Sequence, residues 1–427
     1  MLAVGVIALM FVLMLLRIPV GFAIGISAAV GLWVHGGTPV LLGVFETAPA
    51  SAVTEHALVA IPLFLLMAQF ILRSGVADQM FDAARVWVGR TPAGLGVATT
   101  GAGALFAAIS GSSTASAATL ASTSIPQMRA QGYETRLASG LVAVVGTLAA
   151  MIPPSVALIL YAILAEQSVG EMLVAGVVPG ILVAFAIVVA TWAMVWRNPD
   201  RAPRGSGYPM REKLASLGGL LPILLLFVLV TGTIFFGVAT PTEASALGAL
   251  GALLIGLYGR KLPGPALRTS VLEAVSTSVM LLMIIVGAYL FSYFLTATQV
   301  TLDLVAWVEA LAAPPLAIFA VIALGYLVLG FFMDQAAILA LTVPIVLPVV
   351  EALGFDPVWF GVVLVVLAEI GLVTPPLGLN VFVVARTTGL AVEDVFRGSV
   401  PYVVAMLLVV VLFTLVPGIV LWGPALM

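Results

Sequence analysis

Five hydroxyl side chains crowd into one short run of an otherwise apolar stretch. Residues 108–116 read Ala-Ile-Ser-Gly-Ser-Ser-Thr-Ala-Ser and supply Ser110, Ser112, Ser113, Thr114 and Ser116. Gly111 permits a reversal there. Small hydroxyls let two helical limbs pack closely and offer neutral oxygens to a cation. Residues 146–155 read Gly-Thr-Leu-Ala-Ala-Met-Ile-Pro-Pro-Ser. Two consecutive prolines remove two amide donors and break a helix. The carbonyls around Ala149 and Ile152 then lose their intrahelical partners. A desolvated sodium ion is a natural candidate to satisfy them, because hard cations prefer oxygen ligands. The constellation recurs later in the chain. Gly371-Leu-Val-Thr-Pro-Pro-Leu-Gly-Leu-Asn380 holds a second double proline, and Gly330-Phe-Phe-Met-Asp-Gln335 a second polar tip. Asp334 and Gln335 stand where Ser112 and Ser113 stood; Gly371, Thr374 and Pro376 stand where Ala149, Ile152 and Pro154 stood. A carboxylate such as Asp334 in an apolar interior is costly unless it is paired, protonated or ion-bound. Ion or substrate binding is therefore favoured for it over a structural hydrogen bond. Glu369 precedes the second break. Backbone capping, coupling and exposure to a water-filled cavity all stay open for it.

The elements that must position these groups are membrane helices. Hydrophobic residues make up 63% of the 427-residue chain and charged residues 8%. That is too little charge for a water-soluble surface. Apolar runs long enough to cross roughly 30 Å of hydrocarbon recur from end to end. Helices are expected, because backbone polar groups in lipid must be satisfied internally. Ten crossings are predicted, near 2–16, 20–35, 57–72, 137–164, 171–196, 217–238, 243–259, 270–295, 358–385 and 399–424. The stretches 93–128 and 315–350 carry the polar tips and are predicted to be re-entrant hairpins. The run 2–16 lacks a basic start and an A-x-A site, so it reads as a retained helix rather than a signal peptide. Without cysteine there are no disulfides or thiolate metal sites. His35 and His56 fall on outer connections and read as surface residues. No nucleophile–His–acid set lies at membrane depth and no phosphate-cradling P-loop is present, which disfavours an enzyme and direct ATP use.

Sliding the chain along itself by 222 residues brings Pro19, Pro92, Pro126, Pro153, Pro154 and Pro179 onto Pro241, Pro314, Pro348, Pro375, Pro376 and Pro401. Chance alone gives about one such match, so the chain is expected to be two copies of one unit. All 16 Lys and Arg residues fall on the predicted inner side, including Arg17, Arg90, Arg136, Arg260, Lys261 and Arg397. The outer connections carry Glu46, Glu55, Glu166, Glu171, Glu243, Asp303, Glu309, Glu351 and Asp356. This is the positive-inside pattern. The first hairpin has basic flanks and the second acidic ones, so the repeats are predicted to be inverted. Residues 1–196 form the first repeat, 197–213 a cytoplasmic linker and 214–427 the second. Segments 76–90 and 298–310 are predicted to be interfacial amphipathic helices. In the first, Val76, Met80, Ala83, Ala84 and Trp87 share a face opposite Asp78, Asp82 and Arg85.

The motifs A-I-P-L-F (60–64), L-F-A-A-I-S-G-S-S (105–113), I-P-P-S (152–155), T-P-T-E-A (240–244) and T-P-P-L-G-L-N (374–380) closely resemble the large membrane (M) subunit of TRAP transporters. The resemblance runs the length of the chain. It implies an all-α integral membrane fold: an inverted-repeat, elevator-type transporter with about ten transmembrane helices and two re-entrant hairpins. It implies a sodium-driven importer of the bacterial inner membrane, with no cofactor beyond two coupling sodium ions and no nucleic-acid partner. The expected partners are a small four-helix Q subunit and a soluble periplasmic binding protein, with an organic acid as substrate: a dicarboxylate, sialic acid, another sugar acid or a keto acid. Carried onto this chain, one sodium site involves Ser110, Ser113, Ala149, Ile152 and Pro154. The second involves Gly371, Thr374 and Pro376 with Gln335. Some relatives have Asn at Ser113 and often Gly at Ala149; a hydroxyl keeps an oxygen ligand with a different reach, and a carbonyl survives either residue. Ser112, Thr114, Asp334 and Asn380 are the candidate substrate contacts. No extra helices are seen for a fused Q portion, so Q is expected as a separate chain. The alternatives are a stand-alone cation–proton antiporter or anion exchanger using Asp334 and Glu369, and an accessory membrane subunit without transport activity.

Overall fold

Long runs of Leu, Val, Ile and Ala leave helix as the one element that satisfies its own backbone, and the described residues contain helices and no strand. The computed structural model describes residues 2–88, 91–205, 207–258, 262–311 and 313–427. Arg90, Arg260 and Lys261 of the charge pattern lie outside the described residues, as do the side chains of Val76 and Asp78.

The first half runs α1 (Leu2–Leu15), α2 (Val20–Thr54), α3 (Ala60–Arg73), α4 (Val76–Val88), α5 (Gly94–Ser110), α6 (Ser113–Ala130), α7 (Thr135–Gly146), α8 (Val156–Leu164) and α9 (Val169–Arg197). The second runs α10 (Met210–Phe235), α11 (Pro241–Tyr258), α12 (Gly264–Ala297), α13 (Val300–Ala310), α14 (Pro315–Gly330), α15 (Gln335–Ala352), α16 (Pro357–Gly371), α17 (Leu379–Thr388), α18 (Val392–Leu415) and α19 (Gly418–Leu421). Among the described residues, eight helical spans are long and apolar enough to cross a bilayer. The chain is an all-α, multi-pass membrane protein.

The internal offset reappears in the helix starts. Helix α6 begins at Ser113 and α15 at Gln335, α7 at Thr135 and α16 at Pro357. Contacts between the halves are reciprocal. Helix α2 packs along α12, and α3 along α11; α6 packs on α17, and α15 on α8; α7 packs on α18, and α16 on α9.

Three expectations shift. The crossing at 20–35 continues as helix to Thr54, interrupted at Gly37 (φ 71°, ψ −169°). The Gly36-Gly37 pair breaks the helix. Pro39 then restarts it, since proline is tolerated in a first turn where its missing donor costs nothing. Helix α10 starts at Met210, inside the expected linker 197–213 and ahead of the crossing expected at 217, and α12 starts at Gly264 rather than near 270. The amphipathic segments are helical, but Trp87 does not join Met80 and Ala83 in the core. It is 40% exposed, and its indole N–H donates to the Lys213 carbonyl at 3.1 Å. Lys213 also lies over the Trp87 ring at 5.8 Å. The linker grips the α6–α7 turn, where Glu134 and Arg201 form an ion pair at 2.9 Å. The amide of Glu134 donates to the Arg201 carbonyl at 2.8 Å.

Candidate functional site

Each polar tip is a helix end followed by a helix start. Helix α5 stops at Gly111, whose φ of 59° is left-handed and costs glycine little. Ser112 then caps α6, its Oγ accepting from the Ala115 amide at 3.4 Å. The limbs are stitched together by Ser116 Oγ donating to Ser110 Oγ at 2.9 Å and by Ser110 Oγ donating to the Ser112 carbonyl at 3.3 Å. At the second tip Asp334 caps α15, Oδ1 accepting from the Ala337 amide at 3.0 Å. Ser112 and Asp334 thus do the same local work. The structural hydrogen bond disfavoured for Asp334 is present, while the residue also faces open space at the tip. Asp334→Asn should keep the cap and leave thermal stability nearly unchanged. Asp334→Ala should lose about 1 kcal/mol, read as a lower unfolding midpoint.

The double prolines end both broken helices. Helix α7 runs into a single 3-10 turn, Thr147–Ala150, and stops. Helix α8 restarts at Val156 under a cap from Ser155, whose Oγ accepts from the Leu158 amide at 3.3 Å. Helix α16 stops at Gly371 and α17 begins at Leu379. Both Pro-Pro peptide bonds are cis. Thr374 Oγ1 donates back to the Ile370 carbonyl at 2.6 Å, and the Asn380 amide donates to the Leu372 carbonyl at 3.1 Å. Among the described residues no hydrogen-bond donor reaches the carbonyls of Ile152, Pro154, Thr374 or Pro376. Each pair occupies equivalent positions in the two halves. Tip and break touch within each half: a Cβ on Gly111 would lie 3.4 Å from the Pro154 carbonyl oxygen, and one on Gly371 2.4 Å from Gly330 Cα.

Both tips meet the restarted helices α8 and α17 at one cleft of about 280 Å³. The opening residues of four helices line it: Ser113 of α6, Val156 of α8, Gln335 of α15 and Leu379 of α17. Helix N-termini carry unpaired amides and the positive end of the dipole, so this convergence suits an anion. Ser112, Thr114, Asp334 and Glu369 also face the cleft. Ser110, Ala149, Ile152, Pro154, Gly371, Thr374, Pro376 and Asn380 do not line it.

Sequence reasoning missed two parts of the site. One is a wall from the outer helices, Leu65 of α3 with Thr277, Met280 and Leu281 of α12, which no local motif marks. The other is a link between the halves. Ser113 Oγ donates to Glu369 Oε2 at 2.6 Å, and Asn380 Nδ2 donates to Ser113 Oγ at 2.6 Å. Glu369 and Asn380 both have 0% relative exposure. Glu369 Oε1, Asn380 Oδ1 and Gln335 Nε2 are buried without a partner. Backbone capping, one of the roles open to Glu369, is not what it does.

The fold has solved counterparts. The Alcanivorax borkumensis YdaH transporter superposes with a TM-score of 0.65 at 15% identity, covering 88% of this chain and 89% of that one. Neisseria gonorrhoeae MtrF, from a class of antimetabolite efflux pumps, gives 0.59 at 14% identity over 90% and 84%. At such identity these show the fold alone. Sequence relatives are nearer. The C4-dicarboxylate TRAP transporter large permease protein DctM of Pseudomonas aeruginosa is 36% identical over 368 residues, 86% of each chain. The sialic acid TRAP transporter large permease protein SiaM of Vibrio cholerae is 30% identical over 410 residues, 96% of this chain and 95% of that one. An isethionate TRAP transporter permease protein, DctMQ of Oleidesulfovibrio alaskensis, is 31% identical over 94% of this chain and 63% of its own length. The family described as "Tripartite ATP-independent periplasmic transporter, DctM component" matches residues 7–419, and the chain belongs to it.

Proposed function

We propose that this chain is the translocating subunit of a sodium-driven importer of small organic acids in a bacterial inner membrane. Its two halves are inverted copies, 1–196 and 214–427, joined by residues 197–213, the last four of which already belong to α10. The observation that carries the reading is the convergence of four helix N-termini at a single cleft, with two equivalent sets of free carbonyls in the helix breaks that adjoin the tips. The N-termini supply positive potential for a carboxylate. The carbonyls supply neutral oxygens for two coupling cations.

One sodium ion is held by Ser110, Ser113 and the carbonyls of Ala149, Ile152 and Pro154. The other is held by the carbonyls of Gly371, Thr374 and Pro376 with the Gln335 end of the second tip. Substrate carboxylate meets the tip amides, Ser112 and Thr114, and the free Gln335 Nε2 donates to it. Asp334 accepts from substrate hydroxyls. Asn380 steadies Ser113 from behind. Relatives named for C4-dicarboxylates, sialic acid and 2,3-diketo-L-gulonate support an acid with one or more carboxylates as cargo.

The moving body comprises the hairpins and broken helices, α5–α8 and α14–α17. It slides past α2, α3, α11 and α12. The wall these outer helices give the cleft is mainly apolar (Leu65, Met280 and Leu281 beside Thr277), so sliding breaks few polar contacts. A separate four-helix subunit enlarges the scaffold, and a periplasmic binding protein delivers the acid.

The test is uptake by proteoliposomes holding the chain, its small partner and the binding protein. An inward sodium gradient should drive accumulation of the matching acid, and potassium should not. Equal uptake in potassium, or equal uptake without the binding protein, overturns the reading. The second result would favour the antiporter or exchanger using Asp334 and Glu369.

A further inference from the structure

We infer that Glu369 Oε1 and Asn380 Oδ1 form a third monovalent-cation site, buried at the junction of α6, α16 and α17. The inference rests on the sodium-coupled reading above and adds a site to it.

Three observations converge. First, Glu369 is a carboxylate with 0% exposure, and no Lys, Arg or His among the described residues pairs with it. A buried charge without a counter-charge is strongly disfavoured, and a bound cation removes that cost. Second, the two unpartnered atoms are both oxygen acceptors. They belong to side chains tied to one atom, Ser113 Oγ, at 2.6 Å each. The hydrogen bonds therefore leave one hard oxygen unused on each of two side chains joined through a single atom, donors of the kind sodium takes. No group of three acidic, His or Cys side chains exists among the described residues, so a divalent ion is poorly matched.

Third, the site has no twin. The repeat mate of Glu369 is Thr147, whose hydroxyl donates to the Val144 carbonyl of its own helix at 2.6 Å. The mate of Asn380 is Leu158, which offers no polar atom. The carbonyl sites come in a pair because the breaks do. The Glu369–Asn380 site occurs once, so it is neither member of that pair. Ser113 touches both systems. It donates to Glu369 and accepts from Asn380, which leaves an oxygen lone pair for the ion at the first break.

The experiment counts bound sodium on the purified full chain with radioactive sodium. Wild type should hold three ions and Glu369→Gln two, with both proteins eluting as one folded species of similar thermal midpoint. Asn380→Ala keeps the carboxylate and loses the neutral oxygen. Its weakest site should need about tenfold more sodium for half-occupancy. A wild-type count of two, or an unchanged count in Glu369→Gln, overturns the inference and leaves the coupled transport reading standing. If Glu369→Gln does not fold, an unchanged weakest affinity in Asn380→Ala overturns it. A wild-type chain that binds no sodium fails the coupled reading itself.

Discussion

Ser113→Ala lowers sodium-driven uptake by about a hundredfold and raises the sodium concentration for half-maximal rate, while Ser112→Ala costs about tenfold or less. The two serines are neighbours with similar chemistry, so the contrast tests geometry rather than composition. Ser112 Oγ spans a 3.4 Å contact to the Ala115 amide, a weak cap. Among the described residues, Ser113 Oγ makes the hydrogen bonds that join α6 to the segments around the second break, to Glu369 and from Asn380. Removing it leaves both Glu369 oxygens without a protein partner in a buried position. It also deletes one oxygen offered to the ion at the first break. Leaving a buried charged group unsatisfied costs more than the lost bond is worth. Thr374→Val gives the complementary result. The Thr374 carbonyl persists in valine, so sodium dependence should shift only a fewfold despite the lost 2.6 Å bond to Ile370. Initial rates against sodium concentration in proteoliposomes check all three. An unchanged sodium curve for Ser113→Ala sinks the placement of the first site.

Much of this site was legible in the sequence because its chemistry is local. A double proline removes donors wherever it lies, and a Ser-Gly-Ser-Ser run inside an apolar stretch must turn. The tips and breaks therefore fell where expected, with Ser113 and Gln335 starting α6 and α15 at the repeat offset. The helix beyond Gly37 was not legible, because a Gly-Gly-Thr-Pro run is compatible with a connection as well as with a restart. Trp87 misled for a related reason. Its helical phase puts it with Met80 and Ala83, but an aromatic with a polar N–H takes a partner where one is offered, and the first turn of α10 offers the Lys213 carbonyl. Glu369 could not be assigned from neighbours in sequence, since Ser113 reaches it across 256 positions. The apolar wall of α3 and α12 leaves no motif at all. Packing between distant segments selects it.

Gly140→Val abolishes folded protein, with a destabilisation above about 3 kcal/mol. Helices α7 and α18 cross with backbone against backbone at this point. A Cβ on Gly140 would sit 2.0 Å from the Gly398 carbonyl carbon and 2.3 Å from its oxygen; one on Gly398 would sit 1.9 Å from the Arg136 carbonyl oxygen. Flexible side chains can move aside, but two helix backbones can yield only by separating. Separation carries the first break away from the second half, because α7 leads into it and α18 packs against α7. The Ser113–Glu369–Asn380 link would then be lost along with the crossing. The nearby ion pair, Arg136 to Asp394 at 2.7 Å, cannot compensate, with side chains 49% and 37% exposed. Pairs exposed to that degree contribute about 1 kcal/mol or less. Gly218→Ala is the matched control. Its Cβ would meet nothing within 4 Å in α10, and alanine in an exposed helix interior gains about 0.5 to 1 kcal/mol over glycine. Elution profiles after graded heating should separate the two variants. A Gly140→Val protein that melts with the wild type would mean that this glycine crossing does not set the distance between the halves.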